Sequence, residues 1–333
     1  MSQVEQFLLG SGRNRTAIHV GLVNNMSDAA LRTTELQFAR LLKGAAGPLD
    51  VRLRLFSLRT IARAAETRGR MAGFYDDAAF LKAADIDALI VTGAQPGTAD
   101  QRQEPYWAEL TELIDWAQTG TISTLFSGLA AQAAVLHLDG IAHRPLVRKL
   151  SGVYDSRQAQ DDPLFFNAFA TVPVPHSRCS DIAESDLTAK GYRVLARLAD
   201  KGAAKGEADG QTDIFTRELP GYSQFVFLQG HPEYDPGTLG REYLRDMANF
   251  LAGETAERPL IPEHYFDRAT ENRLAAIGAQ ADLGPYQEVI RRALPGQAWH
   301  TSAVRLIGNW LLLVAAAKAR RATSKTVHTR RRA

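Results

Sequence analysis

The sequence predicts an α/β fold in which helices flank a mainly parallel sheet. Short β-rich apolar runs alternate with helical stretches over roughly the first 140 residues, which is the order of successive βαβ units. After about residue 237, helical patterns follow one another without strands, which predicts extra C-terminal helices. With 333 residues, 45% apolar and 23% charged, the chain is long enough for one large soluble domain.

The first predicted strand covers residues 17–23 and ends at Asn24-Asn25, after which Ser27 or Asp28 caps a helix that runs to about residue 43. Residues 50–58 alternate apolar and polar side chains, which predicts a strand with one half-exposed face. In parallel sheets, ligands bind beyond the carboxyl ends of the strands, so the two asparagines lie at a candidate ligand edge.

The next strand, residues 87–91, ends at Thr92-Gly93-Ala94, and a polar loop leads to a helix at about residues 104–118. A buried strand at residues 121–126 then runs directly into an apolar helix at residues 128–138. In the second half, strands are predicted at residues 192–198, 213–218 and 224–229, and helices at residues 237–252, 271–281 and 303–321.

These elements divide the chain into an N-terminal extension (1–16), one large domain (17–317) and a basic tail (318–333). The net charge is only +2, and seven basic residues fall in the tail, so the body is mildly acidic. That balance argues against a nucleic-acid-binding surface on the fold. We expect a solvated, disordered tail, with contact to phosphate or an acidic membrane as the alternative.

Cys179 is the only cysteine, so no intrachain disulfide is possible, and a cytoplasmic protein is expected. The first 15 residues lack the continuous apolar core of a signal peptide, and the longest apolar stretch, residues 310–317, is too short to cross a bilayer. No membrane association is therefore expected.

A strand-to-helix corner in an α/β fold is where an enzyme presents a nucleophile, because the turn lifts one side chain clear of the sheet. Gly128 occupies this corner, so the position of a nucleophile is kept while its reactive group is missing. Ser127 lies one position earlier. Because successive strand residues point to opposite faces, Ser127 does not simply inherit the role.

His231 and Glu233 follow the strand at residues 224–229, with Pro232 between them. A carboxylate beside an imidazole holds its tautomer and stabilises its protonated form, as acid-base catalysis requires. A surface histidine beside a glutamate is the alternative. The position at a strand end facing the Gly128 corner favours a catalytic pair.

Gly93 and Gly97 bracket the loop that follows the strand at residues 87–91. Backbone N–H groups of such a loop can form half of an oxyanion hole, the other half coming from the corner. A tight turn explains Gly93 equally well.

Two basic residues are candidates for binding an anionic substrate. Arg245 lies on the predicted helix that leaves the His231 loop, where its guanidinium can form a fork for a carboxylate. The alternative is a solvated helix face with Glu242 and Asp246 as partners. Lys149 follows the apolar helix at residues 128–138 and can neutralise an anion, although alone it is typical of an exposed lysine.

Ser177 belongs to the polar cluster Pro175-His176-Ser177-Arg178, which by itself predicts a turn after an apolar run. Cys179 follows at once, and nothing nearby in sequence lowers its pKa, so a passive thiol is expected. The eight histidines are scattered, and neither a metal-binding spacing nor a phosphate-binding glycine motif occurs. We therefore expect no metal and no resident cofactor.

Together, these motifs resemble the homoserine O-acyltransferase family of methionine biosynthesis, whose fold is class I glutamine amidotransferase-like, that is, flavodoxin-like. The resemblance covers roughly residues 17–310. It is carried by Val91-Thr92-Gly93-Ala94, Pro105-Tyr106-Trp107, Ser123-Thr124-Leu125-Phe126, Lys149-Leu150-Ser151-Gly152-Val153-Tyr154, Pro175-His176-Ser177-Arg178, Gly230-His231-Pro232-Glu233-Tyr234-Asp235, Arg245-Asp246 and Asn309-Trp310.

The resemblance implies a two-step transfer with acyl-CoA as co-substrate. A corner cysteine attacks the thioester, and the acyl group then passes to the hydroxyl of L-homoserine. Carried onto this chain, His231 is the general base and Glu233 its orienting carboxylate. The resemblance also implies a homodimer.

For substrate binding, the resemblance implies Lys149, Ser177 and Arg245. It also implies that the residue at Gly97 sets the size of the acyl group. The missing side chain there leaves room for succinyl rather than acetyl.

The chain departs from the family pattern at the nucleophile, where Gly128 stands in place of cysteine. The family's basic residue after the first strand is also not evident in Ser27-Asp28-Ala29-Ala30, and the late polar run is altered to Trp299-His300-Thr301-Ser302-Ala303.

Three interpretations follow. In the first, His231 deprotonates the acceptor hydroxyl directly while both substrates are bound. In the second, the chain is a non-catalytic, regulatory protein that binds an amino acid or acyl-CoA. In the third, it acylates a different amine or hydroxyl acceptor, using Ser127 or Cys179.

Overall fold

The computed structural model describes residues 17–94, 96–98, 100–199, 211–277, 282–293 and 295–330; the predicted extension at residues 1–16 lies outside this part of the chain. The strands are β1 (Ile18–Val23), β2 (Val51–Ser57), β3 (Tyr75–Asp77), β4 (Ala88–Thr92), β5 (Ser123–Ser127), β6 (Arg144–Gln158), β7 (Thr171–Asp181), β8 (Arg193–Leu198), β9 (Thr212–Arg217) and β10 (Gln224–Leu228). The helices are α1 (Asp28–Ala45), α2 (Ala65–Met71), α3 (Trp107–Gly120), α4 (Leu129–Asp139), α5 (Glu184–Ala189), α6 (Thr238–Leu251), α7 (Arg268–Ala276), α8 (Gly284–Arg292) and α9 (His300–Arg330), with short 3-10 turns at Ala78–Ala83, Gln101–Gln103 and Pro163–Phe165.

These strands form one sheet in the order β3-β2-β1-β4-β5-β10-β9-β8-β6-β7. Every neighbouring pair from β3 to β10 is parallel, and every pair from β10 to β7 is antiparallel. Helices cover the parallel part, so the predicted α/β class with a mainly parallel sheet is confirmed. Because β1 pairs with β2 on one side and β4 on the other, the strand order reverses there and opens a crevice at the carboxyl ends.

The two long strands β6 and β7 were not predicted, and the polar cluster containing Ser177 lies inside β7 rather than in a turn. Their sequences lack clear alternation, and Pro173 and Pro175 argue locally against a strand. The structure resolves this conflict because β7 is an edge strand, paired on one side only with β6, where a missing N–H is tolerated.

The core lies on both faces of the sheet because successive strand residues alternate. In β4, Ala88 and Ile90 pack on the same side as α1 and α9, whereas Leu89 and Val91 pack on the side of α3 and α4. A third apolar cluster joins α6, α7 and α8 around the fully buried Tyr286. The C-terminal helices predicted from the sequence therefore form their own packed layer.

The last helix, α9, extends from His300 to Arg330, so residue 318 lies within it rather than at the start of a disordered tail. Buried Trp310 donates its indole N–H to Ser123 Oγ at 2.9 Å, and Lys318 Nζ bonds Asp87 Oδ2 at 2.6 Å. These partners hold the helix against the sheet as far as Lys318. Residues 300–323 are long and apolar enough to span a membrane by length and composition alone, and Trp310 of this helix is buried in the protein core.

Candidate active site

The corner between β5 and α4 has the backbone geometry expected of a nucleophile position. Gly128 adopts φ +58° and ψ −121°, a positive-φ conformation that residues other than glycine rarely adopt. Its N–H donates to the Leu228 carbonyl at 2.8 Å, and its carbonyl accepts from Ala131 N–H at 3.0 Å. The corner is therefore fixed by both β10 and α4, although it carries no side chain.

The loop that follows β4 lies directly against this corner. A Cβ on Gly93 would come 2.4 Å from Leu129 Cβ and 2.9 Å from the Ala130 nitrogen, so only glycine fits there. The structure thus brings Gly93 to the N-terminus of α4, as the prediction of a shared oxyanion site requires.

The imidazole of His231 lies just after β10 and is oriented by Glu233. Nδ1 donates to Glu233 Oε1 at 2.9 Å, a role assigned because an ionised carboxylate only accepts. The Nε2 lone pair is then left for another proton. The backbone N–H of His231 donates to the Pro175 carbonyl at 2.8 Å, and its ring stacks on Tyr234 with centroids 4.4 Å apart.

The surroundings of His231 make it a stronger base than an ordinary histidine. Burial by itself lowers its pKa, but the charge and hydrogen bond of Glu233, with smaller effects from Glu242 and Asp213, raise the pKa above its usual value. The Glu233 side chain is only 4% exposed, so solvent screens this pair weakly.

Gly128 and His231 face each other across the carboxyl edge of the sheet. A Cβ on Gly128 would lie 3.0 Å from His231 Cε1 and 3.5 Å from Nε2, and apart from its chain neighbours no other atom of the described residues would lie within 4 Å. A side chain at residue 128 would therefore point at the basic edge of the imidazole. Here that edge faces the backbone of Gly128.

The structure brings the two predicted substrate-binding cations together around one carboxylate. Lys149 Nζ lies 2.6 Å from Asp246 Oδ2, and the Arg245 guanidinium donates to Asp246 Oδ1 at 2.8 and 2.9 Å. Burial raises the pKa of Asp246, but Lys149 and Arg245 outweigh it and hold the pKa below the ordinary value. Asp246 is thus the partner that the alternative interpretation of Arg245 expected, while the side chain of Arg245 stays 55% exposed.

Ser177 is half-buried in β7, opposite Ser151 of β6 and two residues after Pro175, which accepts the His231 N–H. This register places Ser177 on the strand that supports the histidine loop.

Gly97 lies further along the β4 loop, and no described hydrogen bond or close contact joins it to Gly128 or His231. Among the atoms of the described residues, a Cβ at Gly97 would meet Glu104 Oε1 alone, at 3.8 Å. Glu104 in turn accepts from Thr98 N–H at 2.7 Å and from Thr98 Oγ1 at 2.8 Å, which fixes the loop. Sequence reasoning missed Glu104, although its position just before Pro105-Tyr106-Trp107 was a usable signal.

A basic side chain also missed from the sequence reaches the loop after β1. Arg63 donates to the carbonyls of Met26 and, at 3.2 Å, Asn24, and it pairs with Asp28 at 3.2 Å. Its side chain is 5% exposed, so these bonds occupy a buried guanidinium. Because Arg63 comes from a distant segment, the local sequence at residues 27–30 gave no sign of it.

The family model described as homoserine O-succinyltransferase matches residues 10–320 of this chain. Three proteins named homoserine O-succinyltransferase are close relatives. The one from Rhodopseudomonas palustris is 46% identical over 306 residues, covering 90% of this chain and 88% of that protein. The one from Bradyrhizobium japonicum is 46% identical over 310 residues, covering 90% of each. The one from Methylorubrum extorquens is 44% identical over 307 residues, covering 89% of this chain and 87% of that protein.

Among solved structures, the fold is similar to a glutamine amidotransferase of Thermotoga maritima, with a TM-score of 0.49 and 12% identity over 90% of this chain and 98% of that chain. It is also similar to a glutamine amidotransferase of Methylobacillus flagellatus, with a TM-score of 0.47 and 13% identity over 88% of this chain and 95% of that chain.

Proposed function

This chain belongs to the homoserine O-succinyltransferase family, and we propose that it transfers an acyl group from acyl-CoA to the hydroxyl of L-homoserine directly, without an acyl-enzyme intermediate. The observation that carries this proposal is an oriented, strengthened base facing a corner without a nucleophile. His231 has its partner Glu233 in place, whereas Gly128 offers nothing to acylate.

In the proposed step, His231 Nε2 takes the proton from the homoserine hydroxyl while the oxygen attacks the thioester carbonyl carbon. The carbon–sulfur bond to CoA then breaks, and the departing thiolate takes the proton from the imidazolium, so the histidine returns to its starting form. Glu233 stabilises the imidazolium between these events. N–H groups of the Gly93 loop and the N-terminus of α4 are proposed to bind the oxyanion.

Lys149, Ser177 and Arg245 are proposed to bind the substrates. A carboxylate that approaches Lys149 and Arg245 meets two cations already held together by Asp246. The space beside Gly97 and the names of the relatives both favour succinyl-CoA as the donor. We further propose a homodimer, as the family resemblance implies, located in the cytoplasm, as the single cysteine favours.

A second candidate function is favoured by the same glycine: a non-catalytic protein that binds homoserine or acyl-CoA and acts as a regulator. Without covalent catalysis, the acyl transfer is no longer divided into two easier steps. A site used only for binding would tolerate the loss of the nucleophile.

Acylation of a different acceptor through Ser127 or Cys179 has less support. Ser127 is buried at the end of β5, and Cys179 is exposed on β7. Neither is a hydrogen-bond partner of His231 in the described part of the chain.

The test is to incubate the purified protein with succinyl-CoA or acetyl-CoA and L-homoserine and to follow CoA release. Turnover by the natural chain that disappears in His231→Ala supports direct transfer. If only the Gly128→Cys variant turns over, the natural chain is a binding protein. A mass increase on exposure to acyl-CoA without acceptor would overturn direct transfer, and a peptide map would then locate the adduct on Ser127 or Cys179.

A further inference from the structure

A buried carboxylate lies beneath the loop that carries His231, and the proposed transfer does not use it. Asp213, on β9, is 1% exposed. Its Oδ1 accepts from Gly230 N–H at 3.2 Å and lies 3.4 Å from His176 Nε2, and its Oδ2 accepts from the Ser156 hydroxyl. A carboxylate removed from water costs free energy unless it is paired and hydrogen-bonded, and Asp213 meets this condition through Gly230 and Ser156.

The hydrogen bonds of Asp213 converge on the backbone immediately before the imidazole. Gln229 N–H donates to the Asp213 carbonyl at 2.9 Å, while Gly230 N–H donates to its side chain. A Cβ on Gly230 would come 2.8 Å from His176 Nε2 and 2.9 Å from Asp213 Oδ1. The backbone of Gly230 therefore packs directly against these two side chains. Two consecutive residues that lead into His231 are therefore held by one buried residue.

The cluster also carries a fixed charge. Burial lowers the pKa of His176, which leaves its imidazole neutral near pH 7. Burial raises the pKa of Asp213, but His176 at 3.4 Å, the Ser156 hydroxyl and the charge of Arg178 outweigh it and lower the pKa below its ordinary value. Asp213 is therefore ionised behind the active-site loop.

Titratable groups surround the His231 imidazole on several elements. They are Glu233 and Tyr234 on its own loop, Glu242 on α6, neutral His176 on β7 and ionised Asp213 on β9. Glu233 is the direct hydrogen-bond partner of the imidazole, whereas Asp213 bonds the backbone N–H of the preceding residue, Gly230.

We propose that Asp213 is a positioning residue for His231: it holds the backbone that precedes the imidazole and places a fixed negative charge behind it. Its kinetic consequence rests on the proposed transfer, whereas its effect on the titration of His231 does not. A protein without turnover would still show that effect.

The test compares Asp213→Asn with the natural chain. Asparagine keeps the size and the acceptor for Gly230 N–H but removes the charge, so the pKa of His231, followed by NMR titration of the labelled ring, is expected to fall. In an active protein, the acidic limb of kcat/KM moves to lower pH and kcat falls about tenfold, while KM for homoserine stays unchanged.

Asp181→Asn is the matched control. Asp181 bonds Arg178 and Gln229 on the same side of the sheet but does not reach Gly230, so the titration of His231 should not move. An unchanged His231 titration in folded Asp213→Asn, or an equal shift in Asp181→Asn, would overturn the proposal.

If Asp213→Asn does not fold, Ser156→Ala tests the same positioning role, because it removes only the hydroxyl that bonds Asp213. Faster hydrogen exchange of the Gly230 amide, at a retained melting temperature, supports the positioning role. Exchange as slow as in the natural chain contradicts it.

Discussion

A Cβ on Gly128 would lie 3.5 Å from Nε2 of His231, the ring atom that Glu233 leaves free to accept a proton. In the proposed transfer, the backbone therefore has the geometry of a nucleophile position beside a base, although residue 128 carries no side chain. The consequences of this arrangement can be measured at each component of the site.

Gly128→Cys should restore a two-step reaction, because the new thiol would lie beside a strengthened base. We expect an acyl-enzyme mass adduct with acyl-CoA alone and a change from sequential to ping-pong kinetics. The cost is backbone strain at φ +58° and a small displacement of the imidazole, together about 1–3 kcal/mol of unfolding free energy.

Gly128→Ala is the control, since it carries the same strain and the same Cβ without sulfur. An adduct in the alanine variant, or none in the cysteine variant at a retained fold, would show that residue 128 is not the nucleophile position.

Glu233→Gln should lower the pKa of His231, because the largest pKa-raising contribution comes from that carboxylate. The base works when unprotonated, so the acidic limb of the pH–rate profile should move to lower pH. The plateau should fall about 10²-fold or more because the imidazole loses its orienting charge. Asp235→Asn, in the same loop but paired with Arg40 at 3.3 Å, should change neither quantity.

The same pair makes a prediction about stability. The folded pKa of His231 is raised above its ordinary 6.5, so the pair's contribution is fully present below that pH and is lost as pH rises through the folded value. Urea unfolding should therefore show a stability advantage of the natural chain over Glu233→Gln that shrinks between mildly acidic and alkaline pH. An advantage that grows with pH would refute the assignment.

Gly97→Glu should disfavour succinyl-CoA relative to acetyl-CoA. The new carboxylate would enter the space beside Glu104 and repel the succinyl carboxylate, in addition to filling the room that glycine leaves. We expect the ratio of kcat/KM values to shift by about tenfold, which corresponds to about 1.4 kcal/mol. Gly97→Gln adds a side chain of similar size without the charge. Equal kcat/KM ratios in both variants would mean that the charge does not affect the choice of acyl donor.

Arg245→Gln should weaken homoserine binding by about 10- to 100-fold, as expected when a charged hydrogen-bond donor to a carboxylate is lost. Calorimetry measures this binding whether or not the protein turns over, so the test also applies to the non-catalytic alternative. Arg241→Gln is the matched control one turn earlier on α6, where Arg241 bonds Thr238 Oγ1 at 2.9 Å. Equal affinities of the natural chain and Arg245→Gln would remove Arg245 from the site.

Local pattern was sufficient for the parallel half of the fold. The strands β1, β4 and β5 and the helix α4 lie within two residues of their predicted bounds, because continuous buried runs bounded by turn residues mark them in the sequence. The pairing of His231 with Glu233 was also predictable, since only Pro232 separates them.

The remaining features depend on partners distant in sequence. Strands β6 and β7 are defined by pairing with each other rather than by their own propensities. Asp213 is separated in sequence from both Gly230 and Ser156, and Arg63 is separated from Asn24. No local motif therefore predicts these contacts.

Removal of residues 318–333 should destabilise the fold, because Lys318 is bonded to the β1–β4 region and does not belong to a free tail. Its Nζ bonds Asp87 Oδ2 at 2.6 Å and the Ala17 carbonyl at 2.7 Å. Deletion leaves Asp87, which is largely buried, without its cation, so we expect a loss of about 1–3 kcal/mol in urea unfolding. A chain that ends at residue 323 keeps Lys318 and should match the full-length protein. If both truncated chains are as stable as the full-length protein, the pair contributes nothing, whereas an equal loss of stability in both would place the stabilising contact beyond residue 323.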